Sequence, residues 1–138
     1  MTARHKNKTF TAFLAAVFGG FGLHRLYMYG WKDFWAWVHV ATVPLSLLLI
    51  FSRSDQPIMF TSLPFVLSAL AGVLSTLVIG LTPDEKWDDL HNRNSPDQSA
   101  SGWLLVILLV LAFGIGAVGF IAAIARVFDL LFTGGAYG

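Results

Sequence analysis

The run WLLVILLVLAFGIGAVGFIAAIA, residues 103–125, carries no charged side chain. About 20 mostly apolar residues are what a helix needs to cross the hydrocarbon core of a bilayer. Backbone groups in lipid must satisfy one another, so a helix is the conformation open to such a run. The rest of the chain has to fit around it.

Three more apolar segments accompany it, at 9–29, 34–51 and 58–81. The third is long enough to cross outright. The second is long enough if its aromatic start, Trp31, Phe34, Trp35 and Trp37, sits at headgroup level, where such rings are favoured. The first is short unless it continues past Leu23 to Tyr29. The chain is 56% hydrophobic and 12% charged, against about 25% charged in a soluble domain. The expected fold is an all-α membrane protein, a small bundle of four transmembrane helices forming one membrane domain over residues 1–138.

Between the last two segments lies TPDEKWDDLHNRNSPDQSASG, residues 82–102. Thr82 as cap, Pro83 at the first position, and Asp84 and Glu85 in the first turn predict a short helix. Trp87 and Leu90 are three apart, so one face of it is expected to lie on the membrane surface. The Asn, Ser, Pro and Gly residues that follow read as a flexible loop.

The start of the chain, basic residues and then an apolar stretch, has the outline of a secretory signal. The positions around Phe18, Gly20 and Gly22 fit a cleavage site poorly, and cleavage would remove most of the first segment. It is read as a retained anchor. With four spans, Arg4, Lys6, Lys8, Arg53 and Arg126 fall on one side and Arg25, Lys32, Lys86 and Arg93 on the other. The N-terminal cluster places both termini in the cytoplasm by the positive-inside rule.

Several chemistries find no footing. The net charge is +1, so no strong field points to nucleic acid. No cysteine is present, which removes disulfides, thiolate catalysis and Cys-ligated zinc. GIGAVG, residues 114–119, matches a dinucleotide-binding fingerprint, but that site needs a strand before the glycines. Here they lie inside the apolar run and read as helix packing. His5, His24, His39 and His91 form no metal-ligand spacing. No Ser-His arrangement or carboxylate pair suggests catalysis, and Asp84, Glu85, Asp88 and Asp89 read as a helix start with a solvated face. No metal, cofactor or enzymatic activity is expected.

Small residues recur at four-residue spacing: Ala12, Ala16 and Gly20; Ser68, Gly72, Thr76 and Gly80; Ala112 and Gly116. Such stripes let helix backbones approach closely in lipid, within one bundle or against a partner. Pro44 and Pro64 fall inside the second and third segments, where proline can bend a helix. His39 and Arg126 are ionisable groups within or beside the spans, where such groups face protein or water.

The stretch KNKTFTAFLAAVFGGFGLHRLYMYG, residues 6–30, resembles the TM-2 domain family, the NINE proteins of bacteria. Gly19, Gly20, Gly22, His24, Arg25, Tyr27 and Gly30 match its glycine-rich turn and His-Arg motif. Leu26 stands for the usual phenylalanine, and Met28-Tyr29 for the single residue before the glycine. ARVFDLLF, residues 125–132, is similar to the end of the family's second helix, with Asp129 at its acidic position. In the family the two helices are adjacent, so either two spans have been inserted or the second match is chance. The resemblance implies a multi-pass protein of the bacterial inner membrane and little biochemistry.

Arg25 is expected to pair with Asp33 on the same short connection, with Asp129 as the alternative if the family's two-helix unit is rebuilt in space. His24 and Arg25 are expected to reach the membrane interface, with Tyr27, Tyr29 and Trp31 beside them. The functional expectation is an accessory or scaffold subunit that packs on a membrane-protein partner or on itself in the lipid bilayer. The rival is an oligomeric transporter or channel component that uses His39, Arg25, Arg126 and Asp129.

Overall fold

In the computed structural model, which describes residues 5–137, the chain forms helices joined by turns, with no strand among the described residues. The helices are α1 (Lys8–Phe18), α2 (Leu23–Tyr29), α3 (Phe34–Ser52), α4 (Ile58–Thr61), α5 (Leu63–Leu81), α6 (Asp84–His91) and α7 (Trp103–Thr133), with a 3-10 turn at Gly19–Phe21. Three of them, α3, α5 and α7, are long and apolar enough to cross a membrane, where four spans were expected.

The missing span is the first. Gly22 takes φ 72°, a left-handed conformation that ends the helical run. A Cβ there would also lie 2.8 Å from the Cβ of His39 and 2.9 Å from the Ala36 carbonyl oxygen. The chain therefore reverses, and α2 folds back beside α1. Its last turn returns to where α1 begins: Asn7 N–H donates to the Tyr27 hydroxyl at 3.2 Å, and Lys6 Nζ donates to the Met28 carbonyl. The Phe10 and Tyr27 rings meet edge to face at 5.3 Å. Residues 9–29 thus form a helical hairpin. Its first arm has 11 residues, about 16 Å of helix, roughly half the hydrocarbon thickness.

The third segment is also broken. α4 stops at Thr61, and Pro64 falls in the first turn of α5, where a missing N–H costs nothing. It starts a helix, whereas Pro44 sits inside a continuous one. The fourth runs on to Thr133, 31 residues in all, or about 46 Å.

α5 is the central helix and packs on α1, the 3-10 turn, α3 and α7. Its stripe of Ser68, Gly72, Thr76 and Gly80 is buried. On α1 the buried small residues are Ala12 and Ala15, with Ala16 only half-buried, so the stripe turns one position from the expected one. Gly80 receives Leu109 and Gly116 receives Val73, each too close to admit a Cβ.

At one end of the bundle, α6 and the loop after it clasp the start of the chain. Trp87 is only 2% exposed and donates its indole N–H to the Lys6 carbonyl at 2.9 Å. Its face is turned to protein rather than to the membrane surface, while Leu90 is exposed. Pro83, not Thr82, occupies the cap position of α6, and Thr82 closes α5. The loop is tied down: Ser101 N–H donates to Asp84 at 2.7 Å and Ser99 N–H to Asp88 at 2.7 Å. Two of the four acids read as solvated are engaged in this way. The far end of α7, with Val127 and Phe128, lies against Met59 and Leu63. The two ends of the described chain are therefore at opposite ends of the bundle.

Candidate functional site

The glycine turn and the His-Arg motif meet α3 and α5 at one place. Gly19 and Gly72 touch through their backbones: a Cβ on either would lie 2.4 Å from the other's Cα. That contact brings the Gly20 carbonyl to Ser68, whose hydroxyl donates to it at 2.7 Å. Ser68 Oγ also lies 2.6 Å from His39 Nδ1. The single hydroxyl proton is given to Gly20, so His39 donates from Nδ1 and its Nε2 is left as the basic nitrogen. A lone histidine in an apolar helix is thus satisfied by a serine that the sequence offered only as a small residue.

His24 does not reach the interface. It is 1% exposed, and neither ring nitrogen has a hydrogen-bond partner, which makes it the one buried side chain in that condition among the described residues. Its ring stands edge to face with that of His39, centroids 5.7 Å apart and planes at 74°. Burial first, then His39 and Arg25, push its pKa down to about 4.

Arg25 turns the other way and grips Asp33 with two bonds, Nε to Oδ2 at 2.7 Å and Nη2 to Oδ1 at 3.0 Å. Its guanidinium lies 5.0 Å from the centre of the Tyr29 ring. Asp33 also caps α3, accepting the Ala36 N–H at 2.8 Å. Arg25 holds the Asp33 carboxyl below the usual carboxylate range. Asp129 is engaged elsewhere: it pairs with Arg126 one turn away on α7. Tyr27 is tied to Asn7, and Gly30 ends α2 at φ 78°.

The site joins Gly19, Gly20, Gly22, His24, Arg25, Asp33, His39, Ser68 and Gly72, and leaves out Arg126 and Asp129. GIGAVG lies within the unbroken helix α7, with no strand before it. No group of three or more His, Asp or Glu side chains converges as for a metal ion among the described residues. A further polar centre at the clasped end was missed. Lys8, buried, donates to Asp84 at 2.8 Å and to Ser101 Oγ at 3.1 Å, across 76 and 93 residues of chain. Comparison with known protein families, with curated proteins and with solved structures finds no match for this chain.

Proposed function

We propose that this chain is a multi-pass protein of the bacterial inner membrane, of TM-2 type, that acts as a non-enzymatic accessory or scaffold subunit by packing on a membrane-protein partner or on a second copy. The observation that carries this reading is the surface of the three long helices. α7 turns Trp103, Leu104, Phe113, Ile115, Val118 and Ile121 outward, and α5 does the same with Leu74 and Val78. Between these two helices runs an open groove of about 220 Å³, floored by Ala112 and Gly116 and walled by Val73, Leu74, Phe113 and Phe120. A surface of this kind suits lipid and helix packing.

Three crossings in place of four change the expected topology. The segment before α3 and the 82–102 loop then share a side, and residues 53–57 share the other with the end of α7. The described cations divide as Lys6, Lys8, Arg25, Lys32, Lys86 and Arg93 on the first side against Arg53 and Arg126 on the second. Six against two supports a cytoplasmic N-terminal side and a C-terminal end across the membrane. Both termini in the cytoplasm belonged to the four-span count.

Crosslinking in native membranes followed by purification tests the reading, with a discrete partner or self-adduct through α5 or α7 as the expected result. A chain that stays monomeric and alone at every detergent strength overturns it. One observation favours a second reading, a transport component in an oligomer: His24 and His39 are ring to ring in the interior. Proton and ion flux in liposomes separates the two, with silence favouring the scaffold.

A further inference from the structure

We propose that His24 is a proton-operated latch: α2 seats on α1 and α3 while this imidazole is neutral, and swings off when it takes a proton. The proposal holds whether or not the chain has a partner.

The seated site has nothing to offer a cation. Both nitrogens of His24 are buried and unpartnered, so an imidazolium there would keep two N–H donors out of water with no acceptor. The ionisable groups around it are few. On its own helix Arg25 is the next residue, already a cation. On the connection to α3, Asp33 is the nearest acid, and its oxygens are taken by Arg25 Nε, Arg25 Nη2 and the Ala36 N–H. On α3, His39 meets the ring edge to face rather than nitrogen to nitrogen. α5 contains no ionisable side chain between Leu63 and Leu81, and α1 contains only Lys8, which is held by Asp84.

A proton on His24 is therefore accommodated by moving the ring, and the chain is built to move it. α2 has only seven residues. Each end is a glycine with positive φ, Gly22 at 72° and Gly30 at 78°, and nothing lies within 4 Å of where a Gly30 side chain would begin. Beside the ring, Gly22 is pressed on His39 and Ala36 with no room for a Cβ, so there is no slack in which the ring could turn in place. Rotation about the two glycines carries His24 away from His39 and toward solvent, while Gly19 and Gly20 stay on α5.

The test is amide hydrogen exchange of residues 23–30 in the full chain in nanodiscs, at pH 7.5 and 4.5, corrected for the intrinsic pH dependence of exchange. An unseated histidine titrates near its ordinary value and the seated one near 4. Protection of α2 should accordingly fall by about seventyfold between the two pH values. His24→Phe and His24→Gln should each hold α2 protection level across the same range, the second keeping a polar, neutral side chain if the first fails to insert. The amides of α5, which carries no ionisable side chain, serve as reference in the wild-type chain. Constant α2 protection in the wild type, an equal loss in α2 and α5, or a full acid response in either His24 variant overturns the latch.

Discussion

Gly19 and Gly72 approach so closely that a methyl on either would lie 2.4 Å from the Cα of the other. The hairpin and the central helix meet backbone to backbone, and the Gly20–Ser68–His39 chain depends on that approach. Gly72→Ala forces the two apart and should cost about 1–3 kcal/mol of stability, the usual range for overpacking. Gly114→Ala is the control, because a Cβ there meets nothing within 4 Å. Thermal unfolding in mild detergent should show a lowered midpoint for the first and little change for the second. Equal midpoints would mean that the contact is looser than its geometry.

Asp33 does two jobs, pairing with Arg25 and capping α3. Asp33→Asn keeps a good capping residue and loses the charge, while Asp33→Ala loses both. The alanine variant should be the less stable by about 1 kcal/mol, the usual worth of a helix cap. Arg25→Ala should be milder than Asp33→Ala, since it leaves the cap in place. An arginine stranded without its acid is also more costly than the loss of both members. Abundance and unfolding midpoint of the three variants measure this order. If Arg25→Ala proves the worst, the cation–π contact with Tyr29 matters more than the ion pair.

Residues 34–51 and 103–125 were legible as helices because composition alone decides such runs, whatever they pack against. The pair Arg25 and Asp33 was legible because eight residues of short connection leave little choice. What escaped the reading depends on backbone conformation or distant contact. A glycine at 22 suits a packed helix and a left-handed turn equally, and only His39 and Ala36 pressed against it decide for the turn. Trp87 and Leu90 gave a plausible membrane face, yet the partner that turns Trp87 inward, the Lys6 carbonyl, is 81 residues away. Arg126 and Asp129 are three apart on one helix, a spacing that pairs them locally and leaves Asp129 unable to serve as the alternative partner of Arg25.

The chain has no native cysteine, so single introduced cysteines report sidedness without background. With three crossing helices, Ser95→Cys in the loop after α6 and Asp55→Cys between α3 and α4 should label from opposite sides of the membrane. Thr133→Cys at the end of α7 should label from the same side as Asp55→Cys. A membrane-impermeant thiol reagent applied to whole cells and to inverted vesicles measures it. Shared labelling of Thr133→Cys and Ser95→Cys would restore an even number of crossings.

The clasp at the other end of the hairpin should be labile to strong acid. Burial pushes the Asp84 carboxyl up, but hydrogen bonds from Lys8 and Ser101 outweigh it and hold the group down to about 2. An unfolded carboxyl titrates near 3.8, so between these values the open clasp binds the extra proton. The stabilisation is complete above about pH 4 and drains away as pH falls toward 2. Asp88, held by Asn92 and Ser99, is lowered too and adds to the same window. Asp84 is about one-quarter exposed, which keeps the effect modest. Exchange of the α6 amides, corrected for intrinsic rates, should therefore rise between pH 4 and 2. Asp84→Asn should shrink that rise, and Asp88→Asn added to it should remove it. A doubly substituted chain that still loosens across that interval puts the acid-sensitive group somewhere other than this clasp.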